Sequence, residues 1–506
     1  MVSDSNKRIA KNTVFLYFRM IVTMLVTLYT VRVVLATLGE EDYGIYNIIG
    51  GVVVLFSFLN TAMNNATQRF LSYEIGRGDD VQLRKTFSMS INCHLMLSLL
   101  ILLFAETIGL WFVVEKLNIP EGREYATFWV YQFSIATFIF NIIRVPYNAS
   151  VISHERMSFF AYLSILEVLL NLAIVYLLLL SSGDKLILYS ILKFAISLVC
   201  WGVFYLYCRN AFDTCRYQKG WDKDLYSKLM SFTGWSMLGG GSVLITQSGS
   251  NIILNLFHGV AVNAAYGIAN QVSAAIYGFV SNFQLAFQPQ IVKLHAENKK
   301  EEQAKLINRS ALISYYLLLM ICIPFFLNTD YVLGLWLHDV PKFSVTFCQF
   351  MLLYSMIDAI QAPIWMAINA TGNIKNYCLW TSVMILANLP VSWVLLRSGL
   401  SPVSVFVVRV VINLIIAVVR VIYARSFISF PSFEYVALVI KRALPVTLLS
   451  VVVSVVIKRL LPEGFLSFII VSLLSLAITI LVVLVFGLSK GERNYLYQII
   501  VTKIRK

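Results

Sequence analysis

The residues most able to do chemistry are charged side chains near the middle of long apolar runs: Glu167, Lys193, Asp358 and Arg409. A charge at the centre of a lipid bilayer costs roughly 2.5–3.5 kcal/mol on insertion scales, so each side chain needs a partner or a water-filled cavity. A buried structural ion pair, such as Glu167 with Lys193, is one solution. We favour the other solution, in which all four side chains face a cavity.

Further arginines lie closer to the ends of such runs, at Arg19, Arg32, Arg144 and Arg397. A long arginine side chain at that depth can extend its guanidinium group to the membrane surface while its methylene groups stay in lipid. The same side chains could instead line the cavity. The sequence leaves both interpretations open.

Uncharged polar residues recur in these runs at helical spacing, three or four positions apart, which places them on one helix face. The longest stripe is Asn270, Ser273, Tyr277, Ser281, Gln284 and Gln288. The other stripes are Ser57, Thr61, Asn64 and Gln68; Asn141, Arg144 and Asn148; Gln247, Asn251 and Asn255; Asp358, Gln361, Trp365 and Asn369; and Arg409, Asn413 and Arg420. Interhelical hydrogen bonds explain isolated polar residues well, but continuous stripes favour a tall hydrated cavity.

The cavity residues that we predict to bind substrate are Arg19, Arg32, Asn64, Gln68, Arg144, Lys193, Gln247, Asn251, Asn270, Tyr277, Gln284, Gln288, Gln361 and Arg409. Amide and aromatic groups suit the hydroxyl groups and faces of sugars. Arginine and lysine suit a diphosphate. An anionic, sugar-bearing substrate is therefore expected.

The elements that must position these residues are membrane-spanning helices. Of the 506 residues, 59% are hydrophobic and only 13% are charged, and the mean hydropathy is +0.77. Such a chain is too apolar for a soluble core with a polar surface. About fourteen apolar runs are long enough to cross a bilayer. They are 13–38, 43–66, 87–113, 125–150, 158–181, 186–208, 229–256, 260–289, 308–332, 345–370, 376–397, 400–424, 436–457 and 465–488.

The net charge of +14 is best explained by membrane topology rather than by nucleic-acid binding. If the N-terminus is cytoplasmic, about 30 of the 40 Lys and Arg residues fall on the cytoplasmic side, as the positive-inside rule requires. An even number of crossings then places both termini inside. The odd number of cysteines, seven, most of them in apolar runs, argues against a disulfide framework.

An internal repeat divides the chain. "DYGIYN" at 42–47 and "AAYGIAN" at 264–270 each precede an apolar run and then a charged loop, and Glu74 matches Glu297 at a shift of 223 positions. Pro146 matches Pro363 at a shift of 217. Six helices separate the matches, so the copies have the same orientation, as in parallel-repeat transporters with a site between the halves. The predicted domains are an N-lobe (1–220), a C-lobe (221–428) and an appended helix pair with a tail (429–506), the lobes surrounding a central cavity.

Motifs of several enzyme classes are absent from the sequence. It has no G-x-x-x-x-G-K-[ST] phosphate loop, no G-x-S-x-G elbow and no His/Cys cluster. We therefore expect no ATPase, no metal, no cofactor and no enzyme. Pro146, Pro289, Pro363 and "GWSMLGGGSV" at 234–243 could act as hinges or as packing devices, and the sequence does not distinguish these roles.

Together, the fourteen helices, the two parallel lobes, "DYGIYN", "TQRFLSYEIGRGD", "LRKTFSMS" and "NATGNIKNY" resemble the polysaccharide-flippase branch of the multidrug/oligosaccharidyl-lipid/polysaccharide (MOP) exporter superfamily. The resemblance extends over essentially the whole chain.

This resemblance implies that the protein moves undecaprenyl-diphosphate-linked oligosaccharide, an O-antigen or capsular repeat unit, across the bacterial inner membrane by alternating access. It makes Arg19, Arg32 and Arg144 the cationic candidates nearer the membrane face, and Lys193 and Arg409 those in mid-cavity. Glu167 and Asp358 become candidates for coupling to H⁺ or Na⁺. A polysaccharide polymerase and a chain-length regulator are expected partners.

Other functions compete with this one. A cation-coupled multidrug exporter of the same superfamily should present acidic residues to its substrate, and the charges here are mainly basic. A lipid II flippase is expected to carry more arginines in its first lobe. A glycosyltransferase or polymerase needs larger outside loops than this sequence provides, and a scaffold without transport leaves the polar stripes unexplained.

Overall fold

The computed structural model of the protein describes residues 2–54, 57–117, 119–181, 183–337, 339–428, 430–462 and 464–489, together with Gly491 and Arg493. Most of the basic C-terminal tail lies outside these residues. Within the described residues the chain is helical, without β-strands. The α-helices are α1 (Val2–Val54), α2 (Ser57–Arg77), α3 (Asp80–Phe104), α4 (Leu110–Glu115), α5 (Glu124–Ser153), α6 (Met157–Leu179), α7 (Lys185–Ala211), α8 (Lys223–His258), α9 (Val260–Ala296), α10 (Lys300–Leu327), α11 (Thr329–Leu337), α12 (Ser344–Ala370), α13 (Lys375–Leu386), α14 (Asn388–Arg397), α15 (Val403–Ile428), α16 (Ser432–Leu438), α17 (Leu444–Leu460) and α18 (Phe465–Val482).

Eleven helical stretches among the described residues are long and apolar enough to cross a membrane. They are Arg8–Gly39, Asp80–Glu115, Glu124–Ser153, Met157–Leu179, Lys185–Ala211, Lys300–Leu327, Ser344–Ala370, Lys375–Arg397, Val403–Ser426, Ser432–Leu460 and Phe465–Gly487. Each coincides with one of the predicted runs. The protein is therefore an all-helical, multi-pass membrane protein, as the composition predicted.

The three predicted runs without such a stretch are 43–66, 229–256 and 260–289. The first crosses residues 55 and 56, which lie outside the described residues. The other two correspond to α8 and α9, which have 36 and 37 residues and so measure about 55 Å at 1.5 Å per residue. Both are long enough to span a bilayer, but their many amide, hydroxyl and glycine positions lower the mean hydropathy. The total of fourteen crossings stays a prediction.

The chain forms two compact units. Unit 1 comprises Met1–Gly241, Val292–Asn298 and Gly372–Lys375, and unit 2 comprises Ser242–Ile291, Lys299–Thr371 and Asn376–Lys506. The predicted domain boundaries at 220 and 428, and the predicted central cavity, stay predictions.

In unit 1, α5 packs against α7 and α2, and α1 packs against α6. The helix α1 is broken at Gly39, whose φ of 83° lies in the left-handed region that glycine adopts without strain. The hydroxyl of Tyr131 on α5 donates to the carbonyl of Ala105 at 2.7 Å, at the start of the π-helical turn Ala105–Gly109. A π-helical turn leaves carbonyl groups poorly bonded within the helix, and this hydroxyl satisfies one of them.

An ion-pair clamp in unit 1 joins Arg123, just before α5, to Asp42 of α1 and to Asp184, just before α7. The guanidinium group of Arg123, just before α5, donates through Nε to Asp42 Oδ1 at 2.9 Å and through Nη1 to Asp184 Oδ2 at 2.8 Å. Asp184 also caps α7, because its carboxylate accepts hydrogen bonds from the backbone amides of Leu186 and Ile187. Asp42 opens the "DYGIYN" motif, so in unit 1 this motif begins with a structural ion pair.

A second ion-pair network of unit 1 centres on Glu155, in the turn between α5 and α6. Its side chain is fully buried, and its carboxylate accepts hydrogen bonds from Arg8 Nε at 2.8 Å and Lys293 Nζ at 2.6 Å. The end of α2 also lies against Lys293, because a Cβ atom added at Gly76 would fall 2.7 Å from Lys293 Cα. The network therefore fixes the start of α1 and the end of α9 at one turn.

In unit 2, α12 packs against α15 and α10, and α10 packs in turn against α17 and α18. The core contains a stacked pair, Phe347 and Phe406, with ring centroids 4.1 Å apart. Tyr315 on α10 hydrogen-bonds Thr447 on α17 at 2.7 Å. The helices α17 and α18, which have no counterpart in the predicted repeat, are thus packed within unit 2.

Candidate functional site

Three neighbouring helices of unit 1 bring together Arg144 (α5), Glu167 (α6) and Lys193 (α7), which we call the first-unit cluster. Arg144 Nη1 lies 3.1 Å from Glu167 Oε2, and the two side chains are 20% and 31% exposed. Lys193 makes no ion pair with any described residue. Its ammonium group lies 5.4 Å from the centre of the Tyr189 ring.

Glu167 and Lys193 line a cavity of about 260 Å³ in unit 1. The other lining residues are Tyr46, Gly50, Ser134, Thr137, Phe138, Asn141, Asn171, Ser190, Ile196 and Ser197. Most of them carry a hydroxyl or amide group, the exceptions being Gly50, Phe138 and Ile196. A cavity of this size and polarity has room for several water molecules, each with polar partners. Such an environment lets a charged side chain lie within an apolar helix bundle.

Glu167 and Lys193 line a cavity, but the ion pair of Glu167 is not the one that the sequence offered. Glu167 needs a partner, and a structural pair with Lys193 was one possibility, but Arg144 is the base that contacts it. Arg144 therefore points to its neighbour rather than to the end of α5. Its guanidinium group also lies 5.7 Å from the centre of the Phe204 ring. The neutralisation of Arg144 leaves Lys193 as the base of this cluster without an ion-pair partner among the described residues.

The other candidates of unit 1 occupy different surroundings. The guanidinium carbon of Arg19 lies 4.7 Å from the centre of the Phe160 ring, whereas Arg32 is exposed. Gln68 is buried and Asn64 is half-buried. The Asn64 carbonyl oxygen and the Gln68 amide nitrogen are buried without a hydrogen-bond partner in the described protein. The structure thus brings Arg144, Glu167 and Lys193 together but not these four residues.

A larger polar network in unit 2 contains Tyr277 (α9), Asp358 and Gln361 (α12), and Arg409, Asn413 and Arg420 (α15), which we call the second-unit cluster. Its acidic member, Asp358, accepts a hydrogen bond from the hydroxyl of Tyr277 at 2.8 Å. The same hydroxyl lies 3.5 Å from Gln284 Oε1. Among the described residues, Asp358 forms no ion pair within 4.0 Å.

The basic members of this cluster lie against tyrosine rings. The guanidinium carbon of Arg409 lies 4.7 Å from the centre of the Tyr354 ring, and Arg420 Nε donates to the hydroxyl of Tyr377 at 2.7 Å. A guanidinium group on an aromatic face keeps its charge while losing part of its hydration. Neither arginine is neutralised by an adjacent carboxylate among the described residues.

Amide groups connect the arginines to α12. Gln361 Nε2 donates to Asn413 Oδ1 at 2.9 Å, and Asn413 Nδ2 donates to the carbonyl of Tyr354 at 3.2 Å. Both amide side chains are buried. Trp365 stacks on Tyr377 with centroids 4.8 Å apart. The polar faces predicted for α12 and α15 therefore meet each other within unit 2.

Arg420 belongs to a predicted polar stripe but not to the predicted substrate-binding residues. Its spacing of seven from Asn413 and eleven from Arg409 was the available signal. Tyr354 and Tyr377 were not identified, because a tyrosine in an apolar run is ordinarily a packing residue.

The long stripe of α9 divides into residues with different roles. Ser273 hydrogen-bonds Ser355 on α12 at 2.9 Å in a buried position, which is the interhelical alternative. Asn270 Nδ2 donates to a carbonyl of its own helix, Tyr266 O, at 3.0 Å. Gln284 is buried, and Gln288 is half-buried. On α8, Gln247 is half-buried and Asn251 is exposed.

Among the described residues, no group of three or more His, Cys, Asp and Glu side chains could hold a metal ion. The chemistry that the two clusters offer is the binding of anions by lysine and arginine, hydrogen bonding by amides and hydroxyls, and protonation of Glu167 or Asp358.

The structure is similar to solved structures that include membrane transporters. One described as a point mutant of a MATE protein superposes with a TM-score of 0.72 at 14% identity, covering 83% of this chain and 96% of its own. An outward-facing multidrug resistance MATE family transporter of the MOP superfamily gives 0.72 at 14%, covering 84% and 96%. A MOP superfamily transporter from Pyrococcus furiosus, described as having a binding pocket of reverse polarity, gives 0.70 at 13% with the same coverage. At such identities the likeness establishes the fold.

A search of curated proteins found no match. The model of one protein family, described as "Polysaccharide biosynthesis protein", matches residues 9–289, which is more than half of the chain. The family match indicates a part in polysaccharide biosynthesis, and the solved structures establish the fold of a multi-pass membrane protein. The chain belongs to the polysaccharide biosynthesis protein family.

Proposed function

We propose that this protein moves undecaprenyl-diphosphate-linked oligosaccharide, the repeat unit of an O-antigen or capsule, from the cytoplasmic to the outer leaflet of a bacterial inner membrane. The observation that carries the proposal is Lys193, whose ammonium group lines a polar cavity of about 260 Å³ without an ion-pair partner among the described residues. Membership in a polysaccharide biosynthesis family supplies the substrate class.

Formal charges support an anionic substrate. Each cluster holds two bases and one acid, Arg144 and Lys193 with Glu167 in unit 1, and Arg409 and Arg420 with Asp358 in unit 2. The net charge of each is therefore +1. A positive site of low hydration attracts a diphosphate and repels a cationic drug.

The neutral groups around these charges support a sugar-bearing substrate. The cavity of unit 1 offers hydroxyl groups and amides, namely Asn141, Asn171, Ser134, Thr137, Ser190 and Ser197. Hydroxyl and amide groups exchange hydrogen bonds with water and with sugar hydroxyls at similar free energy. A sugar can therefore enter and leave without large loss, as transport requires.

Glu167 and Asp358 are the proposed sites of coupling to H⁺ or Na⁺. Each acid is held by one specific partner, Arg144 for Glu167 and Tyr277 for Asp358. A proton on Glu167 would remove the charge that holds Arg144, and the freed guanidinium group would raise the positive charge of the cavity. Binding of a cation and of the anionic substrate would thus be linked.

The test is transport of the lipid-linked repeat unit in strains in which the gene is deleted and then replaced by variants. We expect the deletion strain to accumulate the lipid-linked unit on the cytoplasmic leaflet and to lose surface glycan. Lys193→Gln and Arg409→Gln should each lower transport about tenfold or more, because an anion loses a charged hydrogen bond worth about 1.5–3 kcal/mol.

A matched control is Arg216→Gln, which removes one positive charge from an exposed loop position paired with Asp213. It should transport normally. An unchanged glycan profile in the deletion strain would contradict the proposal. Increased resistance to cationic drugs on overexpression, with no effect on glycan, would instead support the multidrug exporter.

A polysaccharide polymerase and a chain-length regulator remain the proposed partners, because they act on the translocated unit. Nucleic acid is not among the proposed partners. The proposed location is the bacterial inner membrane with both termini in the cytoplasm.

A further inference from the structure

Unit 2 contains a second cavity that is separate from the second-unit cluster. Its volume is about 420 Å³, and none of its lining residues belongs to that cluster. It is lined by Asn328 and α11, by the end of α17, by the connection that follows and by α18. The residues used below are Asp330, Tyr331, Gly334, Lys458, Phe468 and Val471.

The cavity lies at one surface of the membrane, because candidate membrane spans end or begin around it. These spans end at Leu327 and Leu460, and the next one begins at Phe465. The neighbouring residues Leu335 and Trp336 are 58% and 51% exposed. An exposed tryptophan at the end of spanning helices is typical of the layer of lipid headgroups.

Two opposite charges line the cavity without neutralising each other. Asp330 lies in the first turn of α11, where the helix dipole stabilises a negative charge. Lys458 Nζ donates to the carbonyl of Leu327, the last residue of α10, whose carbonyl has no partner within its helix. Asp330 and Lys458 form no ion pair with each other or with any other described residue. The start of α11 thus stabilises the charge of Asp330, and the end of α10 stabilises the charge of Lys458.

Apart from the side chains of Asn328 and Ser467, the remaining wall of the cavity is mainly apolar. The rings of Tyr331 and Phe468 lie with their centroids 5.2 Å apart, and Val471 beneath them is buried. The cavity therefore combines a negative pole, a positive pole and an apolar wall that continues onto lipid-facing helices. A ligand that matches all three carries both an ammonium and a phosphate group on an apolar body.

We propose that this cavity binds the headgroup of a zwitterionic phospholipid, phosphatidylethanolamine in the test below. Asp330 receives the ammonium group and Lys458 the phosphate, while the acyl chains lie along the exposed surfaces of α17 and α18. An anionic lipid would satisfy Lys458 but would bring a negative charge to Asp330. The lipid would join the appended helices to α10 and α11. This inference does not depend on the proposed substrate.

The test measures lipids retained by the purified full-length protein in detergent, by native mass spectrometry, after addition of phosphatidylethanolamine or phosphatidylglycerol. We expect wild-type protein to retain phosphatidylethanolamine preferentially. Asp330→Asn and Lys458→Gln should each reduce that retention about tenfold, since each removes one charged hydrogen bond. The control pair Glu434→Gln and Lys441→Gln, exposed charges elsewhere on the chain, should retain the lipid as wild type does.

A filling variant keeps the inference testable if a charge variant folds poorly. Gly334 lines the cavity, and a Cβ atom there would meet nothing within 4 Å, so Gly334→Leu should fold and should block the lipid. Equal retention of phosphatidylglycerol, or unchanged retention in Asp330→Asn, Lys458→Gln and Gly334→Leu, would overturn the proposal. Retention of phosphorylethanolamine as tight as that of the lipid would also overturn it, because the acyl chains would then contribute nothing to binding.

Discussion

At the scale of single residues, the ion pair of the first-unit cluster determines what its substitutions should do. Glu167→Gln removes the only ion-pair partner of Arg144 among the described residues and leaves a partly buried guanidinium group uncompensated. We expect a loss of about 1–3 kcal/mol of unfolding free energy, between the values for surface and buried pairs. Thermal unfolding in detergent measures it.

The double variant Arg144→Gln/Glu167→Gln should regain part of that loss, because no charge is then left alone. Lys193→Gln, which breaks no ion pair, should leave the unfolding temperature close to that of wild type while it lowers transport. A large fall in unfolding temperature for Lys193→Gln would mean that Lys193 has a structural role, and its assignment to substrate binding would fail.

His154 provides a pH-dependent prediction outside the spanning segments. Burial lowers the pKa of its imidazole below the ordinary value of about 6.5, against a hydrogen bond to the Ser150 carbonyl at 2.9 Å that raises the pKa. The unfolded chain therefore binds the proton more tightly. As the pH falls from 7 through 6.5, the unfolding free energy should decrease until the pH reaches the folded pKa.

The comparison variant is His154→Phe, which keeps the stacking on Phe212, where the ring centroids are 3.9 Å apart. Its unfolding temperature should fall less between pH 7.5 and pH 5 than that of wild type. The same fall in both proteins would assign the pH dependence to other groups.

The sequence identifies the charged residues that need a partner within the membrane, but it does not identify the partners. Glu167 and Lys193 were identified from depth alone, because a charge far from the ends of an apolar run needs an explanation. That Arg144 rather than Lys193 contacts Glu167 depends on the rotation of α5, α6 and α7 about their axes. Hydrophobic periodicity does not determine that rotation in helices that are apolar on nearly all sides.

At the scale of elements, the close approach of α2 and α9 in unit 1 predicts the effect of a single methyl group. A Cβ atom at Gly76 would lie 2.7 Å from Lys293 Cα and 2.8 Å from its carbonyl oxygen, both backbone atoms. Gly76→Ala should therefore push the helix ends apart and cost about 1–3 kcal/mol, as overpacking does. Thermal unfolding in detergent again measures it.

The matched control is Gly202→Ala in α7, where a Cβ atom would meet nothing within 4 Å. This change should be neutral or stabilising by up to about 1 kcal/mol, because alanine favours a helix. If both variants unfolded at the same temperature as wild type, the contact between α2 and α9 would be looser than the backbone distances indicate.

The elements predicted with most success are the strongly apolar ones. Eleven predicted runs coincide with spans because length and hydropathy alone define them. The helices α8 and α9 show the limit of that criterion, since Gln247, Asn251, Asn270 and Gln284 lower the hydropathy of helices that are long enough to cross. The Glu155 network was not predicted, because a turn between helices carries no periodic signal.

At the scale of the whole molecule, the predicted topology can be tested with introduced cysteines. All seven native cysteines are buried and free, so a membrane-impermeant maleimide should give a low background. The two proposed substitutions are Lys219→Cys, between α7 and α8, and Glu121→Cys, between α4 and α5. Both positions are exposed.

In intact cells, or in spheroplasts where an outer membrane blocks the reagent, we expect Glu121→Cys to react and Lys219→Cys to stay unlabelled. In inverted membrane vesicles the result should be reversed. Labelling of both from one side would contradict the predicted odd number of crossings between them and the placement of basic loops in the cytoplasm.

Fold class and family were accessible from the sequence because they depend on quantities that add along the chain, namely hydropathy, charge asymmetry and the match between distant segments. The appended helices α17 and α18 illustrate a feature that is not a sum over the chain, because it depends on contacts between distant segments. Their lack of a counterpart in the repeat was visible in the sequence, but the cavity that they form with Asn328 and α11 depends on side chains contributed by four separate segments.

The network around Glu155 has a consequence for the order in which the chain is made. Of the three residues Arg8 leaves the ribosome first, Glu155 follows 147 residues later, and Lys293 another 138 residues after that. During synthesis the Glu155 carboxylate and Arg8 are therefore both present long before Lys293 has been made. The contact of Arg8 with Glu155 requires only the chain up to the turn between α5 and α6, whereas the complete network requires the chain up to the end of α9.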